Sequence, residues 1–231
     1  MLVVSSIDLT TKTPTMKPEE FLKSSIREDF TVNINNDYRY LKTGYYVSVH
    51  AETLGSTVMP RSDDIIAAYR TPIMLLKASK AGIPTMPYVV ANSVRQIMSE
   101  IDFPVVLFAV NPFSYDGYRT AQNRSGLYRA FKSLGMNYKF TVCAQPLRGD
   151  LISANCLFGK CDQDNQVKRI AEQIYELFRI PIFKIHIQRV KDANYLCGLQ
   201  PLKRQELSAP DLENISYEVS RMSSQGERLV G

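Results

Sequence analysis

The clearest periodic signal in the chain lies at residues 167–178. Val167, Ile170, Ala171, Ile174, Leu177 and Phe178 recur at three- and four-residue steps, which places them on one face of a helix. Directly after it the period falls to two. In PIFKIHIQRV (181–190), Phe183, Ile185 and Ile187 point one way and Lys184, His186 and Gln188 the other, the pattern of a strand. NYLCGLQPL supplies a partner strand, joined through Lys191-Asp192-Ala193. An antiparallel pairing would bring Gly198 and Gln200 to the face that carries Lys184, His186 and Gln188. Upstream, FPVVLFAV (103–110) is an unbroken apolar run, as expected of a buried strand, and YKFTVCAQ and LISANCLF predict two more strands.

The first half alternates strand and helix. FTVNIN (30–35) predicts a strand stopped at Asn36-Asp37, and a helix follows from about Arg39 to Thr53, ended by Gly55. After a short strand at Thr57–Met59, SDDIIAAY opens a helix with a capping serine and two acids. Pro72 interrupts or restarts that helix, which then runs to Ala81 and stops at Gly82. Pro84 and Pro87 mark an extended segment, Asn92 or Ser93 caps a helix through Ile97, and NPFSYDGYR is a loop with turn chemistry at Asp116-Gly117. Further helices are expected from Pro18 through Leu22, over Leu127–Leu134, and from Ser208 onward, the last fraying after Met222. The order predicts an α/β protein that becomes α+β in its C-terminal half.

A chain of 231 residues buries a sizeable core as one domain or two small lobes. With 45% apolar and 22% charged residues, wholesale disorder is excluded. The net charge of +5 favours anionic partners, but the densest basic spots, Lys168-Arg169 and Lys203-Arg204, are only pairs, so a mixed solvated surface is expected. Cys143, Cys156, Cys161 and Cys197 form no CxxC, and His50 and His186 stand alone. These cysteines are expected to be reduced core residues of a soluble, cytoplasmic protein. No apolar run approaches a membrane span, and LVVSS is too short for a signal-peptide core.

From Tyr38 to Val90 the sequence resembles the lead-in to an ATP-grasp ligase of the RimK type. Ala81-Gly82-Ile83-Pro84-Thr85-Met86-Pro87 stands where that family has "AGIPTP", and FPVVLFAV stands where it has "FPVVVKP". TVCAQPL is similar to the family's hinge strand, and 167–202 to its closing helix and paired strands. The resemblance spans roughly residues 35–202. It implies an ATP-grasp-like fold in three parts: a short N-terminal lobe with a linker helix over 1–90, a reduced ATP-grasp-like α+β domain over 91–207, and a polar helix and tail over 208–231.

The same resemblance implies where ATP and magnesium would be handled. The phosphate-binding lysine falls at Phe108 and the glycine-rich loop at Ser114-Tyr115-Asp116-Gly117-Tyr118, with Arg119 the nearby cation. The hinge acid falls at Pro146, one magnesium-binding aspartate at His186, and the second acid pair at Gly198 and Gln200. Only Lys160 to Gln166 remains of the family's long middle section. Magnesium needs hard oxygen ligands, and phosphoryl transfer needs cations on the phosphates. The expectation is therefore a non-catalytic protein without metal or cofactor, acting as a binding, regulatory or accessory subunit beside an active ligase. Arg119, Lys184, His186, Gln188 and Gln200 are the candidate cleft residues, able to line a pocket for a small anionic or polar ligand. The plainer expectation for that strand is a half-exposed face of ordinary surface residues. One alternative is an active carboxylate–amine ligase with a diverged site that uses ATP and Mg²⁺; another is a nucleic-acid-binding accessory protein. Tyr38, Tyr40, Tyr45 and Tyr46, with Arg39 and Lys42, would serve the latter, although their spacing favours a helix turning its aromatic side into the core. A protein partner or a homo-oligomer is expected, and neither nucleic acid nor membrane.

Overall fold

The computed structural model of the chain describes residues 1–111, 113 and 117–227, with side chains to Ser224. Three sheets organise it. The first is parallel and comprises β1 (Leu2–Ser5), β2 (Thr15–Met16), β3 (Phe30–Ile34) and β4 (Thr57–Met59) in the order β2-β1-β3-β4. Leu2, Val4 and Val58 meet Phe21 of α1 (Pro18–Phe21) and Val47 and Ala51 of α2 (Thr43–Thr53) on one face. Val3, Val32 and Ile34 meet Ile65 of α3 (Ser62–Ala68) and Met74 of α4 (Thr71–Lys80) on the other. A parallel strand covered on both faces shows no period of two. LVVS, four residues with no alternation, therefore forms a central strand that periodicity does not announce.

α2 starts at Thr43, later than expected, because Leu41 has φ 67° and Asp37 Oδ1 accepts the Arg39 N–H at 3.1 Å, a turn outside the helix. The four tyrosines consequently share no helix face. Tyr38 is buried, donating to Asn33 O at 2.9 Å and accepting from Asn35 N at 2.7 Å, whereas Tyr40 and Tyr46 are exposed.

The second sheet is antiparallel, with β5 (Val89–Ala91), β6 (Val105–Ala109), β7 (Tyr118–Ala121) and β8 (Val142–Pro146) in the order β5-β8-β6-β7. Helices α5 (Val94–Glu100) and α6 (Arg124–Leu134) cover one face, where Val105, Leu107, Val142 and Ala144 meet Ile97, Leu127 and Phe131. Ser93 caps α5 by accepting from Gln96 N, and Asn123 caps α6 by accepting from Gly126 N. β7 begins inside the predicted loop NPFSYDGYR and runs on to Ala121; its hydrogen bonds to β6 make it a strand. Ser114, Tyr115 and Asp116 of the expected glycine-rich loop lie outside the described residues.

The third sheet pairs β9 (Asp150–Leu157), β10 (Ile182–Val190) and β11 (Ala193–Gln200), antiparallel, in the order β11-β10-β9. α7 (Asn165–Phe178) buries the predicted stripe of Val167, Ile170, Ala171, Ile174 and Phe178. Asp164 caps it by accepting from Gln166 N and Val167 N. α8 (Ala209–Glu227) lies against β9 and continues past Met222, where fraying was expected. Among the described residues, no helix is long and apolar enough to cross a membrane.

Candidate functional site between the antiparallel sheets

Alternation along β6 sends Val105 and Leu107 to the helices and Val106 and Phe108 toward the third sheet. Phe108 pairs across the strands with Tyr118, their ring centroids 5.7 Å apart. Below them lies the face of β10 and β11. The pairing sets His186 opposite Gly198 and Lys184 opposite Gln200, as an antiparallel hairpin requires. A bulge follows His186: Ile187 lies opposite Leu196, leaving Cys197 as the extra residue on β11.

Phe108 occupies the space above Gly198. A Cβ built on Gly198 would stand 2.5 Å from Phe108 Cε1, so only glycine lets the ring settle there. His186 completes the cluster, its ring 4.8 Å from Tyr118 and 6.1 Å from Phe108. Its Nδ1 bonds Ser153 Oγ at 2.7 Å, while its Nε2 is buried without a hydrogen bond. Burial drives the pKa of His186 down to about 4; the Gln200 side chain opposes that shift and the Lys184 charge adds to it. At neutral pH the imidazole is therefore uncharged.

Two glutamines tie the sheets together. Gln145 Nε2 donates to Cys197 O at 2.8 Å. Gln188 Nε2 donates to Pro146 O at 3.0 Å, and its Oε1 accepts from Arg148 N at 2.9 Å. Each bond joins β8 or its exit to the β10–β11 pair, satisfying backbone groups at the strand ends and at the bulge.

The candidate residues are thus placed differently from one another. His186 and Gln188 are 1% and 0% exposed, which corrects the expectation of a half-exposed strand face: a second sheet stands over them. Lys184 lies toward the rim, ion-paired with Glu206 in the 3-10 turn Arg204–Glu206. Gln200 covers Gly117, where an added Cβ would lie 1.2 Å from Gln200 Nε2. Arg119 is not in the cleft. It lies opposite Leu107, whose side chain faces α5 and α6, so the hairpin register turns Arg119 to the outer face. Ser153 and Gln145 belong to the cluster but escape sequence reasoning. Tyr118, which the resemblance puts in the glycine-rich loop, joins the cluster through its pairing with Phe108.

A separate crevice of about 130 Å³ opens at the carboxyl end of β3, bounded by Tyr69, Arg70, Val110, Gln200, Pro201 and Lys203. The Tyr69 hydroxyl at its edge is buried without a hydrogen bond. Among the described residues, no three His, Cys, Asp or Glu side chains gather within reach of a common metal ion.

Comparison with known proteins agrees with this architecture. The RimK-like ATP-grasp N-terminal domain family matches residues 19–216. Among solved structures, the RimK domain ATP-grasp protein of Sphaerobacter thermophilus superposes with a TM-score of 0.65 at 12% identity, covering 94% of this chain and 98% of that one. The D-alanine–D-alanine ligase of Bacillus anthracis gives a TM-score of 0.65 at 12% identity, covering 98% of each chain. The ATP-grasp ligase PsnB, solved with a precursor peptide and AMPPNP, gives 0.56 at 14% identity, covering 87% of this chain and 88% of that one. No curated protein matches in sequence. At such identities the structures speak for the fold alone, whereas the family match extends over most of the sequence. The chain belongs to the RimK-like ATP-grasp N-terminal domain family.

Proposed function

We propose that the chain is a non-catalytic ATP-grasp-like module that serves an active RimK-like ligase as a binding or accessory unit. The observation that carries this reading is the seating of Phe108 against Gly198, with Tyr118 and His186 packed beside them. In the family resemblance this is the space of the nucleotide phosphates. Here it holds aromatic rings and a neutral imidazole.

The residues present do not fit Mg-ATP. A phosphate needs a cation or clustered N–H groups, and Phe108 offers neither. A magnesium ion needs carboxylate or comparable oxygen ligands, and the rows facing β6 carry Ser153, His186 and Gly198, then Asn155, Lys184 and Gln200. The Gln145 amide, on the strand that resembles the hinge, already donates to Cys197 O.

The accessory role draws support from the description of the matched family, which is an N-terminal domain of RimK-like ATP-grasp proteins. The partner is then a catalytic ATP-grasp domain, on the same polypeptide or another. Within this reading, a small anionic ligand belongs in the crevice, where Arg70 and Lys203 flank Gln200.

Thermal unfolding with Mg-ATP and Mg-AMPPNP tests the proposal. No change in melting temperature is expected. A ligand at a hundred times its Kd adds about 2.7 kcal/mol, so stabilisation of that size by either nucleotide would overturn the reading.

A further inference from the structure

A second chemical site lies at the far end of β9. Leu157 and Lys160 exchange both backbone hydrogen bonds, each at 2.9 Å. Between them Phe158 and Gly159 have φ of 49° and 79°, the signature of a two-residue I′ turn. Gly159 is held there by its close approach to α7, since an added Cβ would lie 2.8 Å from Tyr175 Cβ. In an antiparallel ladder, the pair next to a hydrogen-bonded one is non-hydrogen-bonded, with Cα atoms about 4.5 Å apart and side chains on one face. That pair is Cys156 and Cys161. Disulfides form across Cα separations of about 4.4–6.8 Å.

Both thiols are free, and Cys156 Sγ donates to Ala154 O at 3.7 Å. Cys156 is buried in the core, its thiol pushed up by the neighbouring Cys161 and by burial. Cys161 is half-buried, its thiol lowered by the neighbouring Cys156 and by the Lys168 charge, against burial and the carboxylates of Asp164 and Glu172. It opens on a depression of about 650 Å³ whose rim includes Lys160, Asp162, Tyr217 and Glu218. Lys160 in turn pairs with Glu218 of α8 at 2.5 Å.

We propose that Cys156 and Cys161 form a redox-active dithiol that low-molecular-weight disulfides convert reversibly into a cross-strand disulfide. The Cys161 thiolate attacks one sulfur of the reagent RSSR, forming a mixed disulfide and releasing RS⁻. Cys156 gives up its proton and attacks Cys161 Sγ, forming the protein disulfide and expelling the second RS⁻. Both leaving thiolates take up protons. The protein dithiol loses two electrons and RSSR gains them, giving two RSH. The closed link would fix the turn whose Lys160 anchors α8.

The test treats the native full chain with glutathione disulfide and follows intact mass and non-reducing peptide maps. The expected product has lost the mass of two hydrogens, carries one crosslink between the peptides of Cys156 and Cys161, and reverts with dithiothreitol. Cys143 and Cys197, buried and with thiols pushed up to about 12, stay reduced. With iodoacetamide, Cys161 should react at least about tenfold faster than either of them. C161S should abolish the mass loss, and C156S should leave a stable glutathione adduct on Cys161. Should C156S fail to fold, C161S and the wild-type map decide alone. A lasting adduct on wild-type Cys161, a crosslink between any other pair, no reaction, or mass loss persisting in C161S would each overturn the proposal.

Discussion

The space between the antiparallel sheets and the crevice at the end of β3 meet at Gln200, yet they are built in opposite ways. The first is filled by Phe108, Tyr118 and His186 and tied across by Gln145 and Gln188. The second stays open and carries Arg70 and Lys203. In the first, every side chain is chosen for what stands opposite it. In the second, Arg70 and Lys203 face solvent and have little packing to lose. Within one fold, then, one space between elements is packed as core while its neighbour stays open. The physical mark of the difference is how sensitively each responds to substitution.

The largest expected effect is at Phe108. Phe108→Ala removes a ring that is 1% exposed between two sheets, and a loss of about 3–5 kcal/mol is expected by urea unfolding. A loss below about 1 kcal/mol would show the space to be loosely filled and would erase the contrast. Next comes the pH dependence of stability. His186 has a folded pKa of about 4 against an ordinary value of 6.5, so the unfolded chain binds the proton more readily between those values. Its contribution is fully present above pH 6.5 and is lost as the pH falls toward 4. It amounts to about 3 kcal/mol, an order-of-magnitude figure. In His186→Asn that part of the slope should disappear, which unfolding curves at pH 7, 6, 5 and 4 would reveal. The smallest effect belongs to the crevice: Arg70→Ala, at an exposed position with no side-chain cap bond, should stay within about 0.5 kcal/mol of wild type. A larger change in the same unfolding assay would mean that the crevice is also structural.

The sequence reveals those parts of the fold whose signal is local. The stripe of α7 and the alternation of β10 give both elements and the face each presents. The pairing of Lys184 with Gln200 and of His186 with Gly198 follows once the hairpin is assumed antiparallel. The order of elements carries the family resemblance. What escapes depends on contacts between distant segments. β1 is three apolar residues and Ser5 without period, and its neighbours β2 and β3 make it a strand. β7 contains Arg119 and Thr120 and exists through its bonds to β6. Alternation shows that His186 and Gln188 share a face, but it says nothing of what stands above that face. The same limit hides the side to which Arg119 turns, because that depends on its pairing with Leu107. Gln145 sits in an apolar run and announces no role; its bond to Cys197 O spans 52 residues of sequence.

The contact between Phe108 and Gly198 also constrains how this chain can drift through mutation. A cation placed at 108 alone would be stranded among rings, and a carboxylate placed at 198 alone would collide with one. Each first step lowers fitness to fold before the other can compensate, so the two positions are locked to each other like the pawl and tooth of a ratchet.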